Sequence, residues 1–215
     1  MPLLVMSVTE IDIAIIDYGM GNTHSVLTAV TEATNNKRQV TLTNKPEDLI
    51  AANHVIFPGV GAIADCMRGL QQNNLDIAIN EIIHSKPLLG ICVGMQALLE
   101  VSEENNGTKC LGLLGGNIKK FVNTTHKVPH MGWNQVKQQI EHPLWQGIAD
   151  NSWFYFVHSY YLDNIQHVQT AATCSYSVDF VAALHKENIF AVQFHPEKSY
   201  HAGIQLYKNF LNWNV

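Results

Sequence analysis

A cysteine between two glycines has the setting in this sequence that most strongly indicates chemistry. Cys92 lies in Gly90–Gly94, a segment of the form G-x-C-x-G that follows the apolar run Pro87–Ile91 and precedes a stretch with helical periodicity. A tight turn between a strand and a helix forces its middle residue into a strained conformation, and it needs neighbouring glycines because side chains there would clash. The start of the following helix also favours the thiolate over the thiol. The pattern predicts that Cys92 is a nucleophile.

The other cysteines and the first glycine-rich segment do not share this setting. Cys66, Cys110 and Cys174 are interpreted as buried small apolar residues, as most free cysteines are. No C-x-x-C pair and no Cys/His cluster with zinc spacing is present, so we expect no metal and no other cofactor. Gly19-Met20-Gly21 is followed by His24, where a dinucleotide-binding motif needs a third glycine, and no acidic residue lies near position 40. We therefore expect no nucleotide at this segment.

A nucleophilic cysteine needs a base, and the base needs a group that orients it. His195-Pro196-Glu197 ends the apolar run Ile189–Phe194, and the two titratable residues lie two positions apart, on one side of an extended chain. The carboxylate could hold the imidazole tautomer and stabilise the imidazolium. Taken alone this is a weak signal, because a surface histidine and glutamate at a strand end are common. Together with Cys92, His195 and Glu197 predict a Cys–His–Glu triad.

Acyl chemistry also needs N–H donors for the oxyanion. The N–H of Val93, directly after the nucleophile, is one candidate. A second could come from Gly59 or Val60 in Pro58–Gly61 (PGVG), which leaves a neighbouring strand. This loop also fits an ordinary turn at a strand exit, and it is not a phosphate loop because no Gly-Lys-Ser/Thr follows.

Apolar, β-branched runs alternate with helical segments in the first half of the chain, and successive strands fill the second half. Strands are predicted at residues 11–17, 40–43, 53–57, 87–91, 117–122, 135–139, 153–160, 168–174, 180–185 and 189–194. Helices are predicted after the first strand to about residue 34 and at 62–70, 75–84, 93–101 and 200–213. We expect one flavodoxin-like α/β domain over residues 11–215. Its sheet is mixed and mostly parallel, with helices on both faces and an antiparallel extension. The preceding extension, residues 1–10, is expected to be disordered.

Composition excludes several classes of protein. The chain has 215 residues, of which 47% are hydrophobic and 14% charged, a balance that supports a buried core and argues against intrinsic disorder. Its net charge is -5 and it has no basic block, so we expect no nucleic-acid partner. No basic residue precedes the first apolar run, and no apolar stretch reaches the length of a membrane span. We therefore expect a cytoplasmic protein with reduced thiols.

Taken together, these motifs resemble those of the class I (triad) glutamine amidotransferases. PGVG at 58–61, GICVGMQ at 90–96 and HPE at 195–197 occur in that family's order. The sequence further resembles the glutaminase subunits of imidazole glycerol phosphate synthases. This second resemblance is carried by DYGMGN at 17–22, PHMGWN at 129–134, HSYY at 158–161 and HPEKS at 195–199. Together the motifs extend over almost the whole chain, and PHMGWN joined to HPEKS is the most specific part.

The resemblance implies a reaction and a set of binding residues. Cys92 would attack the amide of glutamine to give a thioester and ammonia, and His195 would move the proton between the thiol and the leaving amine. Substrate glutamine would be bound by the residues Gly61, Gln96, His158, Ser159 and Tyr160. The loop at Gly59 and Val60 would need to rearrange before its N–H points toward the oxyanion.

The resemblance also implies a partner, a cyclase subunit that receives the ammonia and forms imidazole glycerol phosphate in histidine biosynthesis. The residues that face that subunit or help to couple the two sites would be Tyr18, Asn22, Met131, Trp133, Asn134 and Lys198. The sequence alone slightly favours a hydrophobic core for Met131 and Trp133, and Lys198 also fits ordinary surface charge. The sequence departs from the family pattern at Gly115-Gly116, where Pro-Gly is usual, and at Tyr200, where glutamine is common.

Three alternatives remain at this stage. One is a class I glutaminase that serves anthranilate, nucleotide or pyridoxal phosphate synthesis, which PHMGWN disfavours. Another is a peptidase or other hydrolase with the same turn around its nucleophile, which Gln96 disfavours. The third is a binding subunit with a decayed site, which the intact set of Cys92, His195 and Glu197 disfavours.

Overall fold

The computed structural model describes residues 11–122, 124 and 126–214. The predicted extension, residues 1–10, lies outside the described residues, and the division of the chain into an extension and one domain remains a prediction. The first half of the described chain alternates strands and helices: β1 (Ile13–Ile16), α1 (Thr23–Ala33), β2 (Val40–Thr43), α2 (Pro46–Ala51), β3 (His54–Phe57), α3 (Ile63–Gln72), α4 (Leu75–Ile82), β4 (Leu88–Ile91) and α5 (Val93–Ala97).

The second half of the chain is mostly strand. It consists of β5 (Val101–Ser102), β6 (Thr108–Lys109), β7 (Gly115–Lys120), β8 (His130–Gln138), β9 (Ser152–His158), β10 (Tyr160–Gln166), β11 (Gln169–Tyr176), β12 (Val178–Lys186), β13 (Ile189–Val192) and α6 (Tyr200–Leu211). Single 3₁₀ turns cover Glu104–Asn106, Pro143–Trp145 and Pro196–Lys198. No helix in the described part of the chain is long and apolar enough to cross a membrane.

The main sheet has nine strands in the order β2-β1-β3-β4-β13-β12-β11-β8-β9. The pairs from β2 to β13 are parallel, and the pairs from β13 to β9 are antiparallel. Every residue of β1, β3, β4 and β13 is buried. Because successive side chains point to opposite faces of a sheet, complete burial means that both faces of these strands are covered. The predicted α/β fold, with a mixed sheet and an antiparallel extension, is confirmed.

A second sheet of four strands, in the order β10-β7-β5-β6, was not predicted. The sequence indicated a strand at β7 but placed it in the main sheet, and it missed β10, which lies between two predicted strands. In the structure β10 pairs antiparallel with β7, with a register shift between Leu162 and Asn164. Alternation of side chains identifies a strand but not its pairing partner, so the pattern could not separate the two sheets.

Two helices differ from the prediction. The short helix α2 was missed, although Pro46 at its start and Glu47 and Asp48 in its first turn are typical start signals. The helix after Cys92 ends at Ala97, not at Val101. Its last carbonyls accept hydrogen bonds from the backbone N–H groups of the loop at residues 111–114, which replaces further helical turns.

Helix α6 packs against the Pro196–Lys198 turn so closely that one helical position must be glycine. A Cβ atom on Gly203 would lie 1.8 Å from the carbonyl oxygen of Pro196. This contact fixes the turn that follows β13, and His195 and Glu197 flank Pro196 in that turn.

We expect Gly203→Ala to lower the free energy of unfolding by about 1–3 kcal/mol, because overpacking outweighs the gain in helix propensity of about 1 kcal/mol. Urea unfolding followed by circular dichroism measures this change. His201→Ala, at an exposed position of the same helix, is the matched control and should change stability by less than about 0.5 kcal/mol. Equal stability of Gly203→Ala and the wild type would show that the helix does not require this close approach.

Candidate active site

Cys92 occupies the sharp turn between β4 and α5, as predicted. Its backbone has φ 54° and ψ -110°, a conformation that a residue with a side chain adopts only under strain. The flanking glycines are needed for close packing, since a Cβ on Gly94 would lie 1.9 Å from the carbonyl oxygen of Phe57. On Gly90 it would lie 3.0 Å from the Cβ of Ala191. The turn therefore holds the sulfur in one place between two neighbouring strands.

His195 and Glu197 form a buried pair next to this turn. The Nδ1–H of His195 donates to Oε1 of Glu197 at 2.8 Å, and both side chains are only 1% exposed. The other ring nitrogen, Nε2, has no conventional hydrogen-bond partner among the described residues and remains available to the sulfur. Burial lowers the pKa of His195, but the charge and hydrogen bonding of Cys92 and Glu197 outweigh burial and raise it above its ordinary value. The arrangement favours a protonated His195 next to the sulfur.

Two residues that the sequence did not single out support the base. The hydroxyl of Ser199 donates to the carbonyl oxygen of His195 at 2.6 Å and accepts the N–H of Tyr155 at 3.0 Å. Tyr207 is fully buried beside Glu197, and burial and the nearby carboxylate raise the pKa of its phenol. Ser199 therefore holds the backbone of the base, and Tyr207 lies beside the orienting carboxylate.

Gln193 connects the nucleophile with Gln96. The Nε2 of Gln96 donates to Oε1 of Gln193 at 2.9 Å, and the Nε2 of Gln193 donates to the sulfur of Cys92 at 3.6 Å. Gln96 also donates to the carbonyl oxygen of Tyr160 at 3.2 Å. Gln193 is completely buried. It directly follows β13, two residues before His195, and this position carried no motif signal, so the sequence reasoning missed it.

A cavity of about 240 Å³ opens beside Cys92. Its lining includes all five predicted substrate-binding residues, namely Gly61, Gln96, His158, Ser159 and Tyr160, together with Cys92 and His195. Glu104, which was not predicted, supplies the one carboxylate among the described lining residues, and its Oε2 accepts the N–H of Ile63 at 2.9 Å. A larger groove of about 670 Å³ lies between α1 and α6; its lining includes Glu197 but not Cys92. The smaller cavity is therefore the one suited to a substrate.

The predicted oxyanion donors lie together but are not all directed into the cavity. The N–H of Val93 donates to the carbonyl oxygen of Gly59 at 3.3 Å. The Gly59 carbonyl therefore occupies the position in which a substrate oxyanion would accept this N–H. Gly59 is tightly enclosed, since a Cβ there would lie 2.6 Å from the nitrogen of Gly94 and 2.9 Å from the hydroxyl of Tyr18. Val60 lines the cavity. In this arrangement the loop does not form an oxyanion hole.

A family model described as glutamine amidotransferase class-I matches residues 14–213. The chain belongs to the class-I glutamine amidotransferase family. This match extends over nearly the whole chain and includes the Cys92 turn, the cavity and the His195–Glu197 pair. It confirms the enzyme class that the motifs predicted.

Curated relatives support this membership of the class-I glutamine amidotransferases. The imidazole glycerol phosphate synthase subunit HisH of Acinetobacter baylyi is 51% identical over 205 residues, with 94% of this chain and 98% of that protein covered. The subunit of the same name from Nitrosococcus oceani is 52% identical over 204 residues, with 94% and 97% covered. These relatives confirm the predicted resemblance to the glutaminase subunits of that synthase.

Solved structures share the fold at much lower identity. One glutamine amidotransferase superimposes with a TM-score of 0.71 at 15% identity, with 93% of this chain and 97% of that chain covered. A glutamine amidotransferase from Thermotoga maritima has a TM-score of 0.61 at 16% identity, with 87% and 76% covered. These likenesses concern the fold alone, and they agree with the predicted fold class.

The structure of this glutamine amidotransferase separates the residues predicted to face a partner into two groups. Met131 is 61% exposed and Trp133 40% exposed, and both point outward from β8. Trp133 stacks on Tyr200 with a centroid distance of 5.3 Å, and the Nζ of Lys198 lies 5.5 Å from the ring centre of Tyr155. These five residues form an exposed aromatic face at the sheet edge, so Met131 and Trp133 are not in the core.

The remaining predicted partner residues lie elsewhere. Tyr18 is only 3% exposed and packs edge-on against Phe57 under the Gly59 loop. Asn22 is exposed at the start of α1, where its side-chain oxygen accepts the hydroxyl of Ser25. Asn134 is half-buried and lies on the opposite side of β8 from Met131 and Trp133, next to the buried His130. The structure therefore brings Met131, Trp133 and Lys198 together, and it places Tyr18 behind the active site.

We expect Cys92 to be alkylated first when the native protein is treated with iodoacetamide near neutral pH. Burial raises the pKa of Cys66 and Cys174 to about 12 and that of Cys110 to about 11, so these thiols stay protonated. Cys92 opens onto the cavity. Mass spectrometry of the labelled peptides measures the order of reaction.

The controls are Cys92→Ser, which should leave the native protein almost unlabelled, and the unfolded protein, in which all four thiols should react. Faster labelling of Cys66, Cys110 or Cys174 than of Cys92 in the native state would contradict the assignment.

Proposed function

We propose that the chain is the glutaminase subunit of an imidazole glycerol phosphate synthase, with Cys92 as nucleophile, His195 as base and Glu197 as the group that orients the base. The observation that carries this proposal is the buried His195–Glu197 hydrogen bond beside a cysteine turn that opens onto the cavity containing Gln96. Pairs of this kind activate a thiol for acyl transfer.

The chemistry follows from the positions of the three groups. The thiolate of Cys92 attacks the amide carbon of glutamine, a C–S bond forms, and the charge moves to the amide oxygen. His195 gives the proton taken from the thiol to the amide nitrogen, the C–N bond breaks, and ammonia leaves. Water then attacks the thioester and loses a proton to His195. The C–S bond breaks, glutamate is released, and the proton returns to the sulfur.

Charge and hydrogen bonding in the cavity fit an amino-acid substrate. Glu104 provides a negative charge for the α-ammonium group of glutamine. Both hydrogens of the Gln96 amide are used by Tyr160 and Gln193, so its carbonyl oxygen is left to accept a hydrogen bond from the substrate. Ser159 adds a hydroxyl to the lining.

The loop at Gly59 and Val60 explains why the isolated chain would turn over slowly. The N–H of Val93 must exchange its bond to the Gly59 carbonyl for a bond to the substrate oxyanion. A rearranged loop would also contribute the N–H of Val60. Binding of the cyclase subunit is the event we assign to this rearrangement.

The exposed aromatic face suits a permanent partner. Interfaces are enriched in aromatic residues and methionine, and Met131, Trp133, Tyr155 and Tyr200 contribute such side chains beside the charge of Lys198. We assign this face to the cyclase subunit that receives ammonia, and the partner role of Asn22 and Asn134, which lie outside this face, stays a prediction. The four free cysteines fit a cytoplasmic location.

The first test is glutamate release from glutamine, measured with and without a cyclase subunit that carries its nucleotide ligand. We expect stimulation of roughly 10²-fold or more, the effect of gaining one oxyanion donor. Cys92→Ala should abolish use of glutamine while synthesis from added ammonia persists in the complex. Turnover that is equal with and without the cyclase would contradict the proposed acceptor, and glutaminase activity in Cys92→Ala would remove Cys92 from its role.

A second test concerns Glu104. We expect Glu104→Gln to raise the KM for glutamine roughly 10- to 100-fold with little change in kcat, because it removes a charge-assisted contact while its amide oxygen can still accept the N–H of Ile63. Steady-state glutaminase kinetics of the complex measure this change. Glu103→Gln, in the neighbouring exposed position, is the control and should leave KM unchanged. An unchanged KM for Glu104→Gln would exclude an ionic role for this carboxylate.

A further inference from the structure

Two buried histidines connect the exposed edge of β8 with the wall of the active-site cavity. Asn134 approaches Nε2 of His130 through its Nδ2 at 3.3 Å, and Nδ1 of His130 lies 3.0 Å from Nε2 of His158. Nδ1 of His158 lies 2.8 Å from the carbonyl oxygen of Tyr160. The three links are continuous and end at the carbonyl that also accepts a hydrogen bond from Gln96.

The acceptor at the inner end fixes the direction of every bond in this series. A carbonyl oxygen can only accept, so Nδ1 of His158 carries a proton and Nε2 of the same neutral ring accepts. His130 must then donate from Nδ1, and its Nε2 accepts from the amide of Asn134. That amide has a second hydrogen, which goes to the carbonyl oxygen of Ser175 at 3.0 Å. All donors and acceptors are consistent with two neutral rings of the same tautomer.

The series continues from Tyr160 to the nucleophile. Gln96 donates to the Tyr160 carbonyl and to Gln193, and Gln193 donates to the sulfur of Cys92. The orientation of the Gln96 amide, and with it the carbonyl oxygen left for the substrate, therefore depends on the position of the Tyr160 carbonyl. The hydrogen bond from Gln193 to the sulfur of Cys92 depends in turn on the orientation of Gln96.

We propose that His130 and His158 are positioning residues, which hold the Tyr160 carbonyl and thereby orient Gln96 and Gln193 around the substrate and Cys92. This inference rests on the proposed glutaminase function. Neither histidine carries the chemical step. His130 does not line the cavity, so it acts on the substrate only through His158.

The surroundings keep both rings neutral and in place. His130 stacks between Phe156, at 4.8 Å, and Tyr176, at 3.9 Å. His158 lies edge-on to Phe121 and near Phe180. Burial lowers the pKa of His130 to about 4 and that of His158 to about 3. Nearby histidines lower these pKa values further, His126 acting on His130, and His130 and His195 acting on His158. The hydrogen bond to the Tyr160 carbonyl acts in the opposite direction on the pKa of His158 but does not offset burial.

The tautomers can be tested on the isolated chain without any turnover. In ¹⁵N-histidine-labelled protein, long-range proton–nitrogen correlation spectra should show the proton on Nδ1 and a bare Nε2 in both rings. The pattern should persist as the pH falls through the range in which exposed histidines become charged. His130→Phe and His158→Phe assign the signals. A proton on Nε2 in either ring, or an imidazolium near neutral pH, would overturn the proposal.

Kinetics of the complex test the positioning role. We expect His130→Phe, which keeps the stacked ring, to raise the KM for glutamine roughly five- to tenfold with a smaller effect on kcat, the effect of losing one hydrogen bond. His130→Asn, which keeps a donor near the Nδ1 position, should recover most of this loss. In a Gln96→Met background, His130→Phe should have almost no further effect, because both act through one amide.

His142→Phe is the matched control, since His142 also packs among aromatic rings, against Phe190 and Trp213, but does not border the cavity. It should leave KM unchanged. A KM for His130→Phe equal to that of the wild type, or effects of His130→Phe and Gln96→Met that multiply, would overturn the proposal. Absence of glutamate release by the wild-type complex would instead overturn the glutaminase assignment, while the tautomer measurement would still decide the hydrogen-bond series.

Discussion

The active site depends on the parallel register between β4 and β13. Ile91 pairs with Val192, and the N–H of Cys92 donates to the carbonyl oxygen of Val192 at 2.8 Å. This register places the cysteine turn and His195 at the same edge of the sheet, although they are far apart in sequence. It also places Gln193, which directly follows β13, beside the sulfur. A shift of one residue would turn these side chains to the opposite face, so the hydrophobic pattern that sets the register also sets the chemistry.

Much of the site could be predicted because its residues lie in local patterns. The Cys92 turn needs glycines that are visible in the sequence, and His195 and Glu197 are close neighbours on the chain. Glu104 could not be found in this way. It reaches the cavity from a 3₁₀ turn held by the N–H of Ile63, a contact between segments 41 residues apart that leaves no local periodicity. The burial of Tyr18 under the Gly59 loop could not be predicted either, because its motif carries no information on how deeply a side chain is buried.

The fold shows the same limit. Apolar, β-branched runs in the sequence predicted most strands and the mixed character of the main sheet, since such runs depend only on residues that are close in sequence. The pairing of β10 with β7 in a separate sheet depends on long-range contacts, which alternation does not encode. The end of α5 at Ala97 has a similar origin, because carbonyls near it are used by a loop more than ten residues later.

Backbone geometry at position 92 places folding and catalysis in opposition. With φ at 54° and ψ at -110°, Cys92 holds strain of about 1–3 kcal/mol that a residue without a Cβ would relieve. The residue that folding prefers at this turn is therefore glycine, which has no nucleophile. The strained backbone and the reactive sulfur therefore belong to the same residue. Selection for thermal stability alone would replace Cys92 with glycine and remove the nucleophile, while the strands of the sheet stayed unchanged.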